Sequence, residues 1–212
     1  NYMITDQKCK KCRRAGEKLF LKGERCFTPK CAMERKPYPP GKPIAERKHR
    51  SNVTEYGAQM REKQKVRNTY RVSEKQFSGY VKEATRKQEI LPAEFLLEAL
   101  ETRLDNIVFQ AGIANSRSLS RQIVAHGHIT VNGRRANIPS RRVKVGDVIA
   151  VRPGSRGSKL FEALGERMGS LTIQPWLKVV PEKYEVTIQG KPSLKKEESS
   201  FNLTSVIEFY SR

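Results

Sequence analysis

The sequence predicts an α+β fold, and three observations carry that expectation. Four cysteines fall within the first 31 residues, a stretch too polar to build a core of its own. Residues 54–112 repeat apolar side chains at helical spacing. Residues 116–151 then run from a Ser-started basic helix into short β-branched segments around tight turns. The expected architecture is a metal-bound N-terminal lobe with an extended segment (1–53), a helical scaffold (54–95), a small helix-helix-hairpin module (96–152) and a C-terminal extension (153–212) packing back on the scaffold.

Charge sets the class of partner. The 212 residues carry 42 Lys+Arg against 22 Asp+Glu, a net +20. Such an excess repels itself in the free protein and calls for a large anionic partner. It is also unevenly distributed. Residues 1–50 hold 15 basic against 5 acidic side chains, and residues 116–152 hold 8 against 1, whereas 51–115 and 153–212 are nearly neutral. Two polyanion-contacting surfaces joined by a scaffold are expected, and structured RNA is the natural polyanion. No apolar run approaches the ~20 residues that span a bilayer. Asn1–Asp6 shows neither a basic n-region nor an apolar h-region. A soluble, cytoplasmic protein with no membrane partner is expected.

The cysteines are spaced C-x2-C (Cys9, Cys12), thirteen residues, then C-x4-C (Cys26, Cys31). A C-x2-C pair presents two thiolates to one tetrahedral ion and a second pair closes the site. Zinc, an iron–sulfur cluster and free thiols are the three readings. No acid–base group accompanies the four, so a structural role is favoured, the ion standing in for a core. PYPPGKPIAERKHRSNV (37–53) follows, Pro-rich and basic, which suits extended chain: either a plain linker or a strand laid along phosphates.

Thr54 is a plausible N-cap for the next helix, with Tyr56, Met60 and Tyr70 as candidates for its buried stripe and REKQK (61–65) as its charged outer face. Ser73-Glu-Lys-Gln76 is a capping box ahead of Phe77, Tyr80, Val81 and Ala84. After Leu91-Pro92 one helix is expected to carry Leu96, Leu97, Leu100, Leu104, Ile107, Val108 and Ala111 and to end at Gly112. Arg103 and Asp105 are expected to pair internally or cap. Ser116 can cap a helix over Arg117–His126, with Leu119, Ile123 and Val124 inward and Arg117 and Arg121 sharing an outward face. Ile129-Thr-Val131 reaches Asn132-Gly133, a type I′ turn signal. Val143–Val151, broken by Gly146-Asp147, reads as a second hairpin. His126 and His128 flank Gly127, where nucleic-acid contact or capping is favoured over a metal because no third ligand lies nearby.

These pieces together resemble a known family. The cysteine spacing, KGERC (22–26), KCAMER (30–35), PYPPG (37–41), REKQK (61–65), RLDN (103–106), HGHITVNGRR (126–135), the Lys144–Val148 hairpin and EFYSR (208–212) resemble the small-subunit ribosomal protein S-four family in its bacterial zinc-binding form. The resemblance implies that Cys9, Cys12, Cys26 and Cys31 hold structural zinc. It implies binding to the 5′ domain of 16S rRNA at a helical junction, nucleation of subunit assembly, and a place beside the channel by which mRNA enters. Contact with the neighbouring protein S-five and an influence on translational accuracy are implied there. The rRNA contacts it implies are Lys10, Lys11, Arg13, Arg14, Lys22, Arg25, Lys30, Arg35, Lys36, Arg47, Lys48, Arg50, Arg61, Lys63, Lys65, Arg117, Arg121, His126, His128, Asn132, Arg134, Arg135, Arg141 and Arg142.

Other classes fit less well. An enzyme would need a nucleotide-binding Gly-rich loop or a Ser/His/Asp constellation, and the sequence contains neither. The alternative is a DNA- or RNA-binding regulator using the same basic module, but no dimer-forming heptads accompany the 117–126 helix.

Overall fold

The computed structural model describes residues 7–41, 53–87, 90–162, 164–170, 174–192 and 201–212. The chain divides into two compact units, Asn1–Gln88 with Glu198–Arg212, and Glu89–Glu197.

The first unit begins with α1 (Lys8–Ala15), closed by Gly16 in the left-handed conformation. A 3-10 turn over Gly23–Phe27 and the single-turn α2 (Ala32–Arg35) complete the lobe. Its small core holds Cys12, Leu19 and Leu21, with Ala15 and Met33 against them. The scaffold is α3 (Glu55–Tyr70) and α4 (Glu74–Arg86). Thr54 accepts from the Gly57 amide at 3.2 Å and Ser73 from the Gln76 amide at 3.3 Å, so both expected N-caps form.

The buried stripe of α3 differs from expectation. Tyr56 and Met60 remain 49% and 40% exposed, while Gln59, Lys63, Val66 and Tyr70 turn inward at i, i+4, i+7 and i+11. The reason lies about 150 residues away. Helix α9 (Leu203–Ser211) packs along α3, and its residues supply partners for polar groups that would otherwise be costly to bury. Glu208 accepts from Gln59 Nε2 at 3.1 Å, and Lys63 Nζ lies 4.6 Å from the centre of the Phe209 ring.

The second unit opens with α5 (Pro92–Glu101) and α6 (Leu104–Gln110). The single helix expected through this region is broken at Thr102-Arg103, where Arg103 is extended (φ −65°, ψ 136°). The break is held by pairing to a later segment: Leu104 N–H donates to Arg141 O at 2.8 Å, and Val143 N–H to Thr102 O at 2.9 Å. The Arg103 side chain, fully buried, donates from Nε and Nη2 to Oδ1 and Oδ2 of Asp105 at 2.9 and 2.6 Å. Gly112 (φ 77°) ends the α6 segment as expected. Then come α7 (Arg117–Ala125), β1 (Ile129–Val131), β2 (Arg134–Ala136), β3 (Val148–Val151), α8 (Leu164–Ser170), β4 (Leu177–Val180) and β5 (Glu185–Ile188).

The five strands form one antiparallel sheet in the order β2-β1-β3-β5-β4. Val143–Val151 is therefore not a hairpin. Lys144–Asp147 is a turn, and β3 pairs with β1 and β5. Nor does 153–212 act as one extension among the described residues: Leu177–Ile188 widens the module's sheet, while α9 packs on the scaffold. Ile107, Val108, Ile123, Val124, Ile129, Ile149, Phe161, Leu164, Met168 and Val186 share one core, and Trp176 packs against it.

Candidate nucleic-acid interface

In the first unit, α1 and α3 enclose a cleft of about 640 Å³. Lys10, Lys11 and Arg14 line it from α1, and Arg61, Gln64, Lys65, Arg67 and Asn68 from α3, with no carboxylate among the lining residues. Lys10 and Arg14 are one helical turn apart, as are Arg61 and Gln64, which is why each set shares a face. Arg67 Nη1 pairs with Glu74 at 3.0 Å and its Nε is buried without a partner. Gln64, Arg67 and Asn68 were not foreseen; Gln64 and Asn68 lie at i+3 and i+7 from Arg61, a signal the sequence did carry.

Other expected contacts of this unit fall into three groups. Lys22, Arg25, Lys30, Arg35 and Lys36 are exposed on the lobe. Arg13, half-buried, is engaged within the lobe, donating from Nε to Tyr38 O at 2.8 Å with its guanidinium over the Tyr38 ring. Lys63 and Lys65, expected on the outer face, are instead 6% and 8% exposed. Lys63 pairs with Glu74 at 2.8 Å and Lys65 with Glu17 at 2.7 Å. Lys63 is a structural cation, held by Glu74 of α4 and the rings of α9, whereas Lys65, though paired with Glu17 of the lobe, also lines the cleft. Arg47, Lys48 and Arg50 lie outside the described residues.

Beside the basic cleft, residues of α3 and α9 line a second one of about 630 Å³, in which Glu55, Glu62 and Glu208 gather with Arg61, Ser205 and Asn202, and Glu55 pairs with Arg212 at 2.7 Å. Gln59 Oε1 is buried there without a partner.

Cys12, Cys26 and Cys31 are buried and Cys9 partly so. Burial pushes the Cys12 thiol up, and the charges of Cys26, Cys9 and Cys31 act in the same direction against a backbone hydrogen bond from Leu19. The four thiols thus share one neighbourhood and suit a soft cation in type. Among the described residues, no three His, Cys, Asp or Glu side chains are placed to hold a metal ion.

In the second unit, Ser116 caps α7 by accepting from the Leu119 amide at 3.3 Å. Arg117 and Arg121 do not simply face solvent. Arg117 Nε donates to Asn106 Oδ1 at 2.9 Å with its guanidinium 4.5 Å from the Phe109 ring centre, and Arg121 reaches Asp105 at 3.5 Å. Asn132 (φ 51°) and Gly133 (φ 76°) make the expected turn. The Asn132 side chain is occupied within it, donating to Asp147 Oδ1 and accepting from the Val148 amide, both at 2.8 Å. Arg134, Arg135, Arg141 and Arg142 are exposed, as is His126 at the end of α7. Arg142 also lies over the Phe95 ring. His128 is half-buried, its Nδ1 3.0 Å from Ser155 Oγ. Burial, then His126, Arg152 and Arg135, hold its pKa below the usual histidine range. At neutral pH it is a hydrogen-bonding group rather than a charge.

Comparison with known proteins fits this geometry. The ribosomal protein S4/S9 N-terminal domain matches residues 3–101 and the S4 domain matches residues 102–149, the boundary falling at the break between α5 and α6. The chain is 47% identical over 208 residues to the small ribosomal subunit protein uS4 of Syntrophomonas wolfei, covering 98% of both chains. It is 47% identical over 204 residues to that of Thermus thermophilus, covering 96% of each. The uS4A protein of Bdellovibrio bacteriovorus is 44% identical over 209 residues, 99% of both. Among the described residues, no helix is long and apolar enough to cross a membrane.

Proposed function

The chain belongs to the uS4 family of small ribosomal subunit proteins, and from that premise we propose that it binds the 5′ domain of 16S rRNA and nucleates assembly of the subunit around it. The observation that carries the reading is the carboxylate-free cleft between α1 and α3, with Lys10, Lys11, Arg14, Arg61 and Arg67 around it. A concave surface lined by one sign of charge concentrates its counter-charge. A-form RNA hides its base edges in a deep groove, so such a surface meets phosphates and 2′-hydroxyls and selects by shape. On the second unit, Arg134, Arg135, Arg141 and Arg142 with His126 form the other contact surface.

In the same reading the chain lies near the channel by which mRNA enters, where it influences accuracy, and touches S-five. The cleft of Glu55, Glu62 and Glu208 supports a protein neighbour there, since a basic protein segment complements its carboxylates and an RNA backbone does not. Cys9, Cys12, Cys26 and Cys31 would hold a structural zinc, which supplies a cross-link to a lobe whose core has few apolar side chains. The protein acts in the cytoplasm, on the ribosome, as a scaffold and not an enzyme.

The test is a salt titration of binding to a 16S rRNA 5′-domain fragment with excess tRNA and duplex DNA present. Tight binding that survives both competitors is expected. Displacement by tRNA would reduce the protein to a generic polycation, and displacement by duplex DNA would favour a DNA-binding regulator.

A further inference from the structure

The N-terminal lobe displays an aromatic pair that neither its core nor its cation surface explains. Phe20 and Phe27 stack with ring centres 5.0 Å apart and planes 27° from parallel. Phe20 is 41% exposed and Phe27 75% exposed. Single exposed apolar side chains are ordinary, but two stacked and outward-facing rings make a surface. Their placement follows from the backbone. Leu19 and Leu21 are buried on either side of Phe20, which sits at φ 50°, a left-handed conformation that L-residues with large side chains adopt only at a cost. The chain thus keeps its two leucines inside and sends the intervening ring out. Phe27 ends the 3-10 turn whose Cys26 is buried, so adjacent residues again part company.

The surroundings say what would cover this surface. Lys22 and Arg25 lie between the two rings in sequence and Lys30 follows them, all three exposed, and the described lobe, residues 7–41, carries 11 Lys/Arg against 3 Glu. A hydrophobic protein partner gains nothing from such a fringe, whereas an unpaired nucleotide offers both a π-face for the rings and a phosphate for the cations. We propose that Phe20 and Phe27 form a stacking platform for an unpaired base of the bound RNA, with Phe27 the ring in contact and Phe20 the ring that holds it in place. The proposal rests on the RNA-binding reading above and deepens it. The cleft of α1 and α3 engages backbone, and this pair engages one splayed base.

The experiment uses the full chain and the 16S rRNA 5′-domain fragment, comparing Phe27→Ala, Phe27→Leu and Phe27→Trp, with circular dichroism to verify folding. Loss of one base stack weakens binding by about tenfold or more. The Ala and Leu variants are expected to lose affinity to that extent with an unchanged dependence on salt, since no phosphate contact is removed. Phe27→Trp should bind as the parent does. Phe27→Leu binding as tightly as the parent would overturn the proposal, leaving an apolar contact with no role for the π-face. So would full RNA affinity in all three variants with impaired incorporation into subunits, which would make the pair a protein contact. If the parent protein itself shows no preference for the fragment over tRNA, the RNA-binding reading fails first and takes the platform with it.

Discussion

The guanidinium of Arg135 lies over the backbone of Gly127, where a Cβ would meet its Cζ at 2.6 Å, and its Nη2 donates to the His126 carbonyl at 3.1 Å. One arginine of the β2 edge thereby satisfies a carbonyl left over at the end of α7 and fastens helix to sheet. Gly127 is required twice, for its left-handed φ of 74° and for the room it leaves.

Gly127→Ala is expected to destabilise the protein by about 1–2 kcal/mol, from the left-handed backbone and the displaced guanidinium. Adding Arg135→Ala should cost less than the sum of the two single changes, because the clash is then removed. Thermal unfolding of the four proteins measures this, and strict additivity would mean that the two residues act independently.

Arg103 and Asp105 form a fully desolvated pair at the break between α5 and α6, with Arg121 at its edge. Removing one partner strands a buried charge, which costs about 3–5 kcal/mol. Asp105→Asn should therefore lower the urea midpoint sharply. A loss under 1 kcal/mol would show that water or another acceptor reaches Arg103.

Two neighbouring cations of α3 are expected to behave in opposite ways. Arg61→Ala, at the cleft, should weaken RNA binding and flatten its salt dependence by roughly 0.7–0.9 in log–log slope. Lys63→Ala, buried against Glu74 and the Phe209 ring, should leave that slope intact and reduce stability by about 1–3 kcal/mol. A Lys63→Ala protein with unchanged melting and a flatter slope would return Lys63 to the interface.

Glu74 links α3, α4 and α9. Burial raises its pKa, but hydrogen bonds from Lys63 and Tyr210 and the charges of Lys63 and Arg67 outweigh that and hold it below the usual carboxylate range. A folded-state pKa below the unfolded one adds stability that is present above the unfolded value and is lost as pH falls through the folded value. Stability should thus fall in the acid range, from about pH 4 downward, and less so in Glu74→Gln. Tyr210 has the opposite sign: burial, then the hydrogen bond to Glu74 and its charge, raise its pKa, so its contribution persists through neutral pH and fades above its ordinary value. Parallel acid titrations of parent and Glu74→Gln would contradict the linkage.

Metal removal should act on one lobe. Chelation or Cys26→Ser is expected to lower zinc content to near zero and loosen residues 7–41, leaving the sheet of the second unit folded; hydrogen exchange by segment reads both. Full protection of α1 after chelation would exclude a structural ion.

Much of this molecule was legible from the chain because the relevant physics is local. N-caps at Thr54, Ser73 and Ser116, the Asn132-Gly133 turn and the glycine stop at Gly112 each depend on a few consecutive residues, and each forms as the pattern predicts.

What misled were positions whose environment arrives from elsewhere in the chain. Periodicity could not foresee that Pro139–Val143 would pair with Thr102–Asp105 and split a helix in two. Nor could it foresee that β3 would find β1 and β5 instead of its own neighbour, or that Arg117 and Asn132 would spend their polar groups inside the fold. REKQK reads as uniformly solvated, yet Lys63 and Lys65 are buried because α4, α9 and the lobe bring Glu74, Phe209, Tyr210 and Glu17 to them. The sequence alone determined the charge, the caps, the turns and the class of partner. Only the tertiary structure decided which cations stay at the surface, since burying a charge is tolerable only where the folded chain supplies its counter-ion.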